Sequence, residues 1–368
     1  MMDKAPFKYD IVGSFLRPER LKKAREDYIN RTITKEELTV IENEEIKKLI
    51  DKQKSLGLKA VTDGEFRRRW WHLDFIQALN GITVYDKVTT GFQGKEMKVQ
   101  GSYISSPISF NENHPFLEHF RLTQEIAGDT LVKQTIPGPN MIYLDSLILS
   151  PQYKENPVYT DLADFKKDLI ETYQKAISAF YEVGCRYLQL DDTSWGALFS
   201  SVFRERIEAC GYQPDQLIKE FGDITEAALK VKPSDMVITF HICKGNFQSS
   251  WLYEGFYDII AKRLFSIDAF DGFFLEYDDE RSGDFSPLKY IHNQKVVLGL
   301  ITTKTADLED KEAIKQRIIE ASQYVPLEQL CLSPQCGFAS TQEGNHITQQ
   351  QQWAKLEHVV AIANEVFE

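Results

Sequence analysis

The sequence has few cysteines, few histidines and no long apolar run, and each shortage excludes a class of protein. No apolar stretch among its 368 residues is long enough to span a bilayer, and the first residues do not resemble a signal peptide. Five cysteines, an odd number without paired spacing, do not suit the disulfide framework of a secreted protein. The formal net charge of −12 argues against nucleic acid or an anionic membrane as a partner. We therefore expect a cytoplasmic protein.

Short apolar segments alternate with amphipathic helical patterns along the chain. This alternation is typical of parallel βαβ units, and eight such units can close into a barrel. The apolar fraction of 42% is sufficient for a large core. We predict a single domain over residues 1–368 with an α/β fold, a (β/α)8 TIM barrel. The predicted strands are 9–13, 59–62, 132–136, 186–190, 236–240, 272–275, 295–299 and 329–332.

The connection between the second and third predicted strands is unusually long. It contains about seventy residues, far more than an ordinary loop. Alternating side chains interrupted by glycines occur at 80–84, 91–94 and 99–103. This pattern predicts a β-hairpin inserted between strands 2 and 3 and lying over one mouth of the barrel. The insertion is either a functional lid or an oligomer contact.

Four residues that suit a soft metal follow three of the predicted strands. His241 and Cys243 form a His-x-Cys pair after strand 236–240, Glu276 follows strand 272–275, and Cys336 follows strand 329–332. Zinc accepts imidazole nitrogen, thiolate sulfur and carboxylate oxygen in a tetrahedral set. The sequence therefore predicts a Zn²⁺ site formed by these four residues. A purely structural zinc remains the alternative, because four protein ligands are also typical of structural sites.

Polar residues occur at the ends of other predicted strands as well. Ser14, Glu65, Asp191 and Lys304 each follow a strand, and the chemistry of such barrels collects at these carboxyl ends. Three of them also have simpler interpretations. Asp191 can cap a helix, Glu65 can neutralise a neighbouring arginine, and Lys304 can be a solvated loop charge.

Together these motifs resemble the catalytic barrel of the cobalamin-independent methionine synthase family, in particular its short single-barrel members. They follow the family's order along almost the whole chain, and the His-x-Cys, Glu and Cys set is the most specific of them. The matching segments are Val-Gly-Ser-Phe at 12–15, Thr-Asp-Gly-Glu at 62–65, Ile-Pro-Gly-Pro at 136–139, Leu-Asp-Asp at 190–192, His-Ile-Cys at 241–243, Glu276 and Ser-Pro-Gln-Cys-Gly at 333–337.

The resemblance implies a zinc-dependent methyltransferase that transfers a methyl group to the thiol of homocysteine, or a similar thiol, and gives methionine. It implies that Ser14, Glu65 and Asp191 hold the amino and carboxylate ends of the acceptor. A free thiol has a pKa near ~8.5, so a metal that binds it increases the reactive thiolate fraction. Methyl-folate is one candidate methyl donor.

One departure from the family concerns the proton donor. Lys304 stands where the family has a histidine, and the resemblance implies that this histidine donates a proton to methyl-folate. A folate nitrogen leaves poorly unless it is protonated, and a lysine with a pKa near ~10.4 is a slow donor at neutral pH. Either Lys304 is the catalytic acid, another group donates, or the methyl donor is not a folate. A non-catalytic or regulatory zinc-containing binder of sulfur amino acids, and a metal-independent decarboxylase of the related porphyrin-processing barrel, remain alternative functions.

Overall fold

Seven parallel strands form a curled sheet at the centre of the fold. The computed structural model describes residues 4–89, 92 and 97–367. Its strands are β1 (Ala60–Val61), β2 (Asn80–Thr89), β3 (Met97–Ser109), β4 (Leu131–Pro137), β5 (Tyr187–Asp192), β6 (Val237–Ile242), β7 (Gly272–Glu276), β8 (Lys295–Ile301) and β9 (Leu330–Pro334). The sheet order is β1-β4-β5-β6-β7-β8-β9. The predicted α/β fold with a parallel, barrel-type sheet is confirmed.

Helices connect most of the strands. The long helix α6 buries an apolar stripe that includes Leu169, Tyr173 and Ile177, as expected for a helix packed on a sheet. Among the described residues, no helix combines the length and apolar character that a membrane span requires. The helices are α1 (Glu19–Ile29), α2 (Lys35–Ser55), α3 (Leu73–Ile76), α4 (Pro115–Ala127), α5 (Pro151–Glu155), α6 (Leu162–Glu182), α7 (Ser194–Phe199), α8 (Ser201–Ala209), α9 (Pro214–Ala228), α10 (Asp258–Leu264), α11 (Lys311–Ala321) and α12 (Gln349–Val366), with a π-helix at Ile142–Ile148.

The first predicted strand, 9–13, is not a regular strand, and that prediction is wrong in detail. Only Tyr9 forms a parallel bridge, to Leu332 of β9. The next peptide groups bond to side chains instead of to a neighbouring strand. Asp10 Oδ1 accepts a hydrogen bond from Ile11 N at 2.7 Å, and Gln189 Nε2 donates to Val12 O at 2.7 Å. The segment still lies between the two edges of the sheet, because Phe15 N donates to Gly64 O, just beyond β1, at 3.1 Å.

The predicted hairpin insertion is confirmed. Strands β2 and β3 pair antiparallel in a separate two-stranded sheet, with Tyr85 opposite Gly101. They lie in the chain between β1 and β4, which are neighbours in the main sheet. Of the segment 91–94, which contributed to this prediction, all but Phe92 lies outside the described residues.

A buried ion pair connects the interior of the sheet to one strand end. Lys133 Nζ lies 2.9 Å from Asp10 Oδ1 and also donates to Gln189 Oε1 at 2.9 Å. Gln189 Nε2 in turn donates to Asp191 Oδ1 at 2.7 Å. The Lys133 side chain is fully buried. The orientation of Asp191 therefore depends on a chain of hydrogen bonds that begins inside the barrel.

We expect His114 to make the protein less stable in mild acid. Its Nδ1 accepts from Phe116 N in the first turn of helix α4, and burial lowers its pKa to about 4. The unfolded chain binds the proton near pH ~6.5, so this contribution to stability is complete above that pH and is lost as the pH falls towards about 4. The free energy of unfolding should fall by about 3 kcal/mol across this window.

Urea unfolding measured at several pH values tests this expectation. His114→Asn keeps a side-chain acceptor for the helix but does not titrate, so the variant should show a shallower pH dependence. Equal slopes for the wild type and the variant would show that His114 does not cause the acid sensitivity.

Candidate metal centre and substrate pocket

The four predicted metal ligands lie together at the carboxyl ends of the strands. His241 belongs to β6 and Cys243 follows it directly, Glu276 is the last residue of β7, and Cys336 lies two residues beyond β9. All four are buried, and one ligand atom from each lies within 4.8 Å of the others. The two sulfurs are 3.6 Å apart. The parallel sheet therefore brings Cys243 and Cys336, which are 93 positions apart in the chain, into one cluster.

The hydrogen bonding of the cluster fits a bound metal ion. His241 Nδ1 lies 3.2 Å from Phe274 O, a contact in which Nδ1 carries the proton and the lone pair remains on Nε2. Nε2 is buried and has no hydrogen-bond partner in the described part of the chain. Glu276 Oε1 accepts from Lys244 N at 2.8 Å, which leaves its other oxygen available. Two sulfurs, one imidazole nitrogen and one carboxylate oxygen suit a thiophilic ion.

Charges within the cluster interact strongly. The hydrogen bond from Cys243, together with the nearby His241, holds the pKa of the Cys336 thiol well below its usual value. The same hydrogen bond and burial raise the pKa of Cys243. Burial and the neighbouring Cys336 raise the pKa of Glu276 to about 7. The cluster thus concentrates potentially anionic groups, as expected where a cation can bind.

A small pocket opens beside the cluster and contains all three residues predicted to hold the acceptor. The predicted residues that line it are Ser14, Glu65, Asp191, His241, Cys243 and Cys336. Trp71 also contributes to its wall. The structure therefore brings the predicted metal ligands and acceptor residues to one place.

Glu65 is held in the pocket by its backbone and by two polar neighbours. The residue has a φ of 60°, and Thr135 Oγ1 donates to its Oε1 at 3.0 Å. Arg68 lies 3.5 Å from the same oxygen, so pairing with a neighbouring arginine does occur. Oε2 is buried without a partner among the described residues. Burial raises the pKa of this carboxyl. One carboxylate oxygen therefore remains for a ligand.

Asp191 is not a helix cap, so that alternative is wrong. Asp191 lies within β5, and the following helix α7 begins after Thr193. Asp192 makes the cap-like contact instead, by accepting from Ser194 N at 2.6 Å. Burial raises the pKa of Asp191 to about 7.

Close packing fixes Ser14 at the base of the pocket. Its Oγ accepts from Ala339 N at 3.2 Å. A Cβ atom at Gly337 would collide with the same hydroxyl oxygen. Glycine next to Cys336 is therefore required for the loop after β9 to approach Ser14.

Lys304 forms an ion pair with an acidic neighbour. Its ammonium is 2.5 Å from Asp278 Oδ2, and its side chain is only 11% exposed, so it is not a solvated loop charge. Among the described residues that line the pocket, Lys304 is absent. Its role as a catalytic acid stays a prediction.

Sequence reasoning missed the loop that follows Cys243. Lys244 is buried, and its ammonium donates to the backbone oxygens of Gly255 and Arg281 at 2.8 and 3.0 Å. Asn246 Nδ2 donates to Gly337 O at 2.6 Å. The bond from Lys244 to Arg281 connects the loop after β6 to the segment after β7, and the Asn246 bond connects it to the loop after β9. The sequence signal that could have indicated this loop is the run Lys244, Gly245 and Asn246 directly after the His-x-Cys pair.

A barrel-type parallel sheet with a His, a Glu and two Cys at its carboxyl ends defines an α/β protein with a candidate metal centre. Residues 8–365 match the family described as cobalamin-independent synthase, catalytic domain, and the chain belongs to this family. It is 48% identical to the uncharacterized protein YxjG of Bacillus subtilis, over 99% of this chain and 96% of that protein.

Solved structures and more distant relatives agree with this assignment. The putative vitamin-B12-independent methionine synthase from Listeria monocytogenes is 44% identical, with a TM-score of 0.78 and 99% of each chain covered. The 5-methyltetrahydropteroyltriglutamate–homocysteine methyltransferase of Bifidobacterium longum subsp. infantis is 23% identical over 96% of this chain and 42% of that protein. The resemblance predicted from the motifs is confirmed, and with it the membership of a methyltransferase family.

Proposed function

We propose that this protein is a zinc-dependent methyltransferase that transfers a methyl group to the thiol of homocysteine, or of a closely similar amino acid, and gives methionine. The observation that carries the proposal is the shared pocket, in which the four-ligand cluster lies beside Ser14, Glu65 and Asp191. Each of these groups has a chemical use for an amino acid with a side-chain thiol.

The metal ligands proposed are His241 through Nε2, Cys243, Glu276 and Cys336. A zinc ion bound there would lower the pKa of an acceptor thiol and so supply the nucleophile at neutral pH. The protein's own contribution is to orient the ligands. The Phe274 carbonyl holds the His241 ring, and the Lys244 amide holds one Glu276 oxygen. Glu276 is the hardest donor of the set and is the ligand we expect to loosen when the acceptor binds.

The acceptor's amino acid end is held by the remaining pocket residues. Glu65 Oε2 has no partner among the described residues, and a substrate ammonium supplies the missing donor. Asp191 presents a second carboxylate whose position is fixed by Gln189. Burial of both carboxyls excludes water, which strengthens their attraction for a bound ammonium.

We expect Asp191→Asn to weaken binding of homocysteine. Loss of one charge-assisted hydrogen bond costs about 1.5–3 kcal/mol, which corresponds to a KM roughly 10- to 150-fold higher. Steady-state kinetics with homocysteine measure the change, and Asp129→Asn, at an exposed carboxyl outside the pocket, is the control. An unchanged KM in Asp191→Asn would remove this residue from the acceptor site.

The proposed function is tested by incubating the metal-loaded protein with homocysteine and a panel of methyl donors. Methionine is then measured by mass spectrometry. Methionine formed in proportion to enzyme and lost after chelation is the expected result. Homocysteine binding without methionine from any donor would instead support the non-catalytic zinc-containing binder.

We expect weak turnover with a monoglutamyl methyl-folate at neutral pH. The reason is that Lys304 stands in place of the expected acid and its ammonium is engaged by Asp278. Lys304→His should increase the rate with this donor if the residue type is the obstacle. Rapid wild-type turnover that Lys304→Ala does not change would place the acid elsewhere.

A further inference from the structure

A larger cleft adjoins the pocket on the side of the hairpin insertion. It has a volume of about 330 Å³ and is bordered by β3 through Val99 and Gln100, and by Gly245 and Asn246 from the loop after Cys243. Trp71 lines both the cleft and the pocket. A molecule in the cleft would therefore lie next to a molecule in the acceptor pocket. This is the position that a methyl donor must occupy.

One carboxylate in the cleft lacks a partner. Asp145 lies in the π-helix Ile142–Ile148 and lines the cleft wall. Within the described residues its side chain makes no hydrogen bond or ion pair, and the charge of Lys87 acts on it only electrostatically. Burial raises the pKa of this carboxyl. An unpaired carboxylate in such a place is stabilised by a ligand that carries positive charge.

Aromatic rings form much of the remaining wall. Trp70 stacks on Phe247 with ring centroids 5.9 Å apart and an interplanar angle of 15°. Phe203 packs edge-on against Tyr253 with centroids 4.6 Å apart. All four line the cleft. Aromatic faces combined with a carboxylate are the usual means by which proteins bind methylated cations.

The rim of the cleft carries the opposite charge. Lys87 and Arg206 line it and are exposed. The Arg206 guanidinium lies 4.7 Å from the centroid of the Phe203 ring. A ligand that has a cation at one end and a carboxylate at the other would match both the wall and the rim.

The histidine that lines the cleft is not an effective proton donor. Burial lowers the pKa of His72 to about 3, so its ring is neutral at neutral pH. Lys304 is absent from the described residues that line the cleft. The described lining of the cleft therefore offers no effective acid for a methyl donor whose leaving group must be protonated. A donor with a neutral leaving group needs no such acid.

We propose that this cleft binds the methyl donor, and that the donor is a small onium carboxylate, a sulfonium or quaternary ammonium zwitterion, with its cation against Asp145 and the aromatic wall. The inference rests on the proposed function, because it assumes a thiol acceptor in the neighbouring pocket. It adds the chemical class of the second substrate, the methyl donor.

The transfer balances without a proton donor. The acceptor thiolate forms a new S–CH₃ bond while the donor's C–S⁺ or C–N⁺ bond breaks, and the electron pair of that bond stays on the leaving sulfur or nitrogen. The products are a thioether and a neutral thioether or tertiary amine. The thiol proton is lost to solvent when the thiolate forms. The thiolate loses its negative charge and the onium centre loses its positive charge, and a site that excludes water favours this loss of charge.

Binding measurements on the metal-stripped protein test the cleft separately from catalysis. Isothermal titration with dimethyl(2-carboxyethyl)sulfonium should give saturable binding. Its carbon isostere 4-methylpentanoate, which keeps the carboxylate but lacks the cationic centre, should bind at least tenfold more weakly. Trimethylglycine is the quaternary ammonium probe. Asp145→Asn should weaken binding of the onium at least tenfold and leave the isostere within twofold. Asp129→Asn, an exposed carboxyl, should change neither, and circular dichroism verifies folding.

Catalysis by the metal-loaded protein then separates the two proposals. Methionine formed from homocysteine and the sulfonium or trimethylglycine, with a donor KM at least tenfold higher in Asp145→Asn, supports both. Methionine from methyl-folate, with no binding of either onium, overturns the donor assignment and leaves the methyltransferase intact. Onium binding that depends on Asp145, with no methionine from any donor, overturns the methyltransferase alone. Equal binding of sulfonium and isostere overturns the assignment of the cleft.

Discussion

Cys243→Ser is expected to strip the metal from the protein and to abolish methyl transfer while the barrel remains folded. Cys243 contributes one of the two sulfurs of the cluster, 3.6 Å from the other. Loss of a direct ligand should exceed the roughly 10- to 100-fold drop in metal affinity that follows loss of an outer hydrogen-bond partner. The cluster lies at the rim of the sheet, so circular dichroism and the unfolding midpoint of the metal-free protein should change little. Metal analysis of gel-filtered protein measures the effect.

The control for this experiment is another cysteine of the chain. Cys210 is half-buried at the end of α8, outside the cluster, and Cys210→Ser should retain the metal. Cys336→Ser should behave like Cys243→Ser. Full metal content in both cluster variants would show that the metal is bound elsewhere.

Lys133→Met is expected to lower the free energy of unfolding by about 3–5 kcal/mol, because it leaves the Asp10 carboxylate buried without its ion-pair partner. The pair is 2.9 Å long, and its side chains are 0% and 2% exposed. Lys133 also lies 4.2 Å from the centroid of the Phe274 ring. Since Lys133 supports Gln189, which holds Asp191, the KM for homocysteine should rise as well. Urea unfolding and kinetics measure the two effects.

An exposed ion pair is the matched comparison. Lys47 and Asp51 lie 2.6 Å apart on α2 with side chains 64% and 56% exposed, and Lys47→Met should cost less than about 1 kcal/mol. Adding Asp10→Asn to Lys133→Met should recover part of the lost stability, because the buried charge is then removed. A loss below about 1 kcal/mol in Lys133→Met would show that the buried pair does not stabilise the barrel.

The strands and the cluster could be predicted because both follow from local patterns. Runs such as 236–240 and 272–275 are predominantly apolar, which is typical of parallel strands covered on both faces. Once such strands are neighbours, the residues that follow them must meet at one edge. The His-x-Cys pair, Glu276 and Cys336 therefore come together without any knowledge of their distances.

Features that depend on long-range side-chain contacts could not be predicted. The segment 9–13 has a strand-like sequence, but the side chains of Asp10 and Gln189 bind its peptide groups. Lys304 follows a strand as predicted, but its ammonium is engaged by Asp278. Asp145 has no motif of its own, and only the folded hairpin and the loop after β6 enclose it in a cleft. These contacts join residues far apart in the chain, which no local periodicity records.

X-ray absorption at the zinc edge, with and without homocysteine, tests the central claim most directly. The account predicts that freshly purified, reduced protein contains one zinc with two sulfur ligands, from Cys243 and Cys336. Homocysteine should add a third sulfur to the zinc shell, and this change should need a much higher homocysteine concentration in Asp191→Asn. Protein without zinc, or a zinc shell that saturating homocysteine leaves unchanged, would contradict the account.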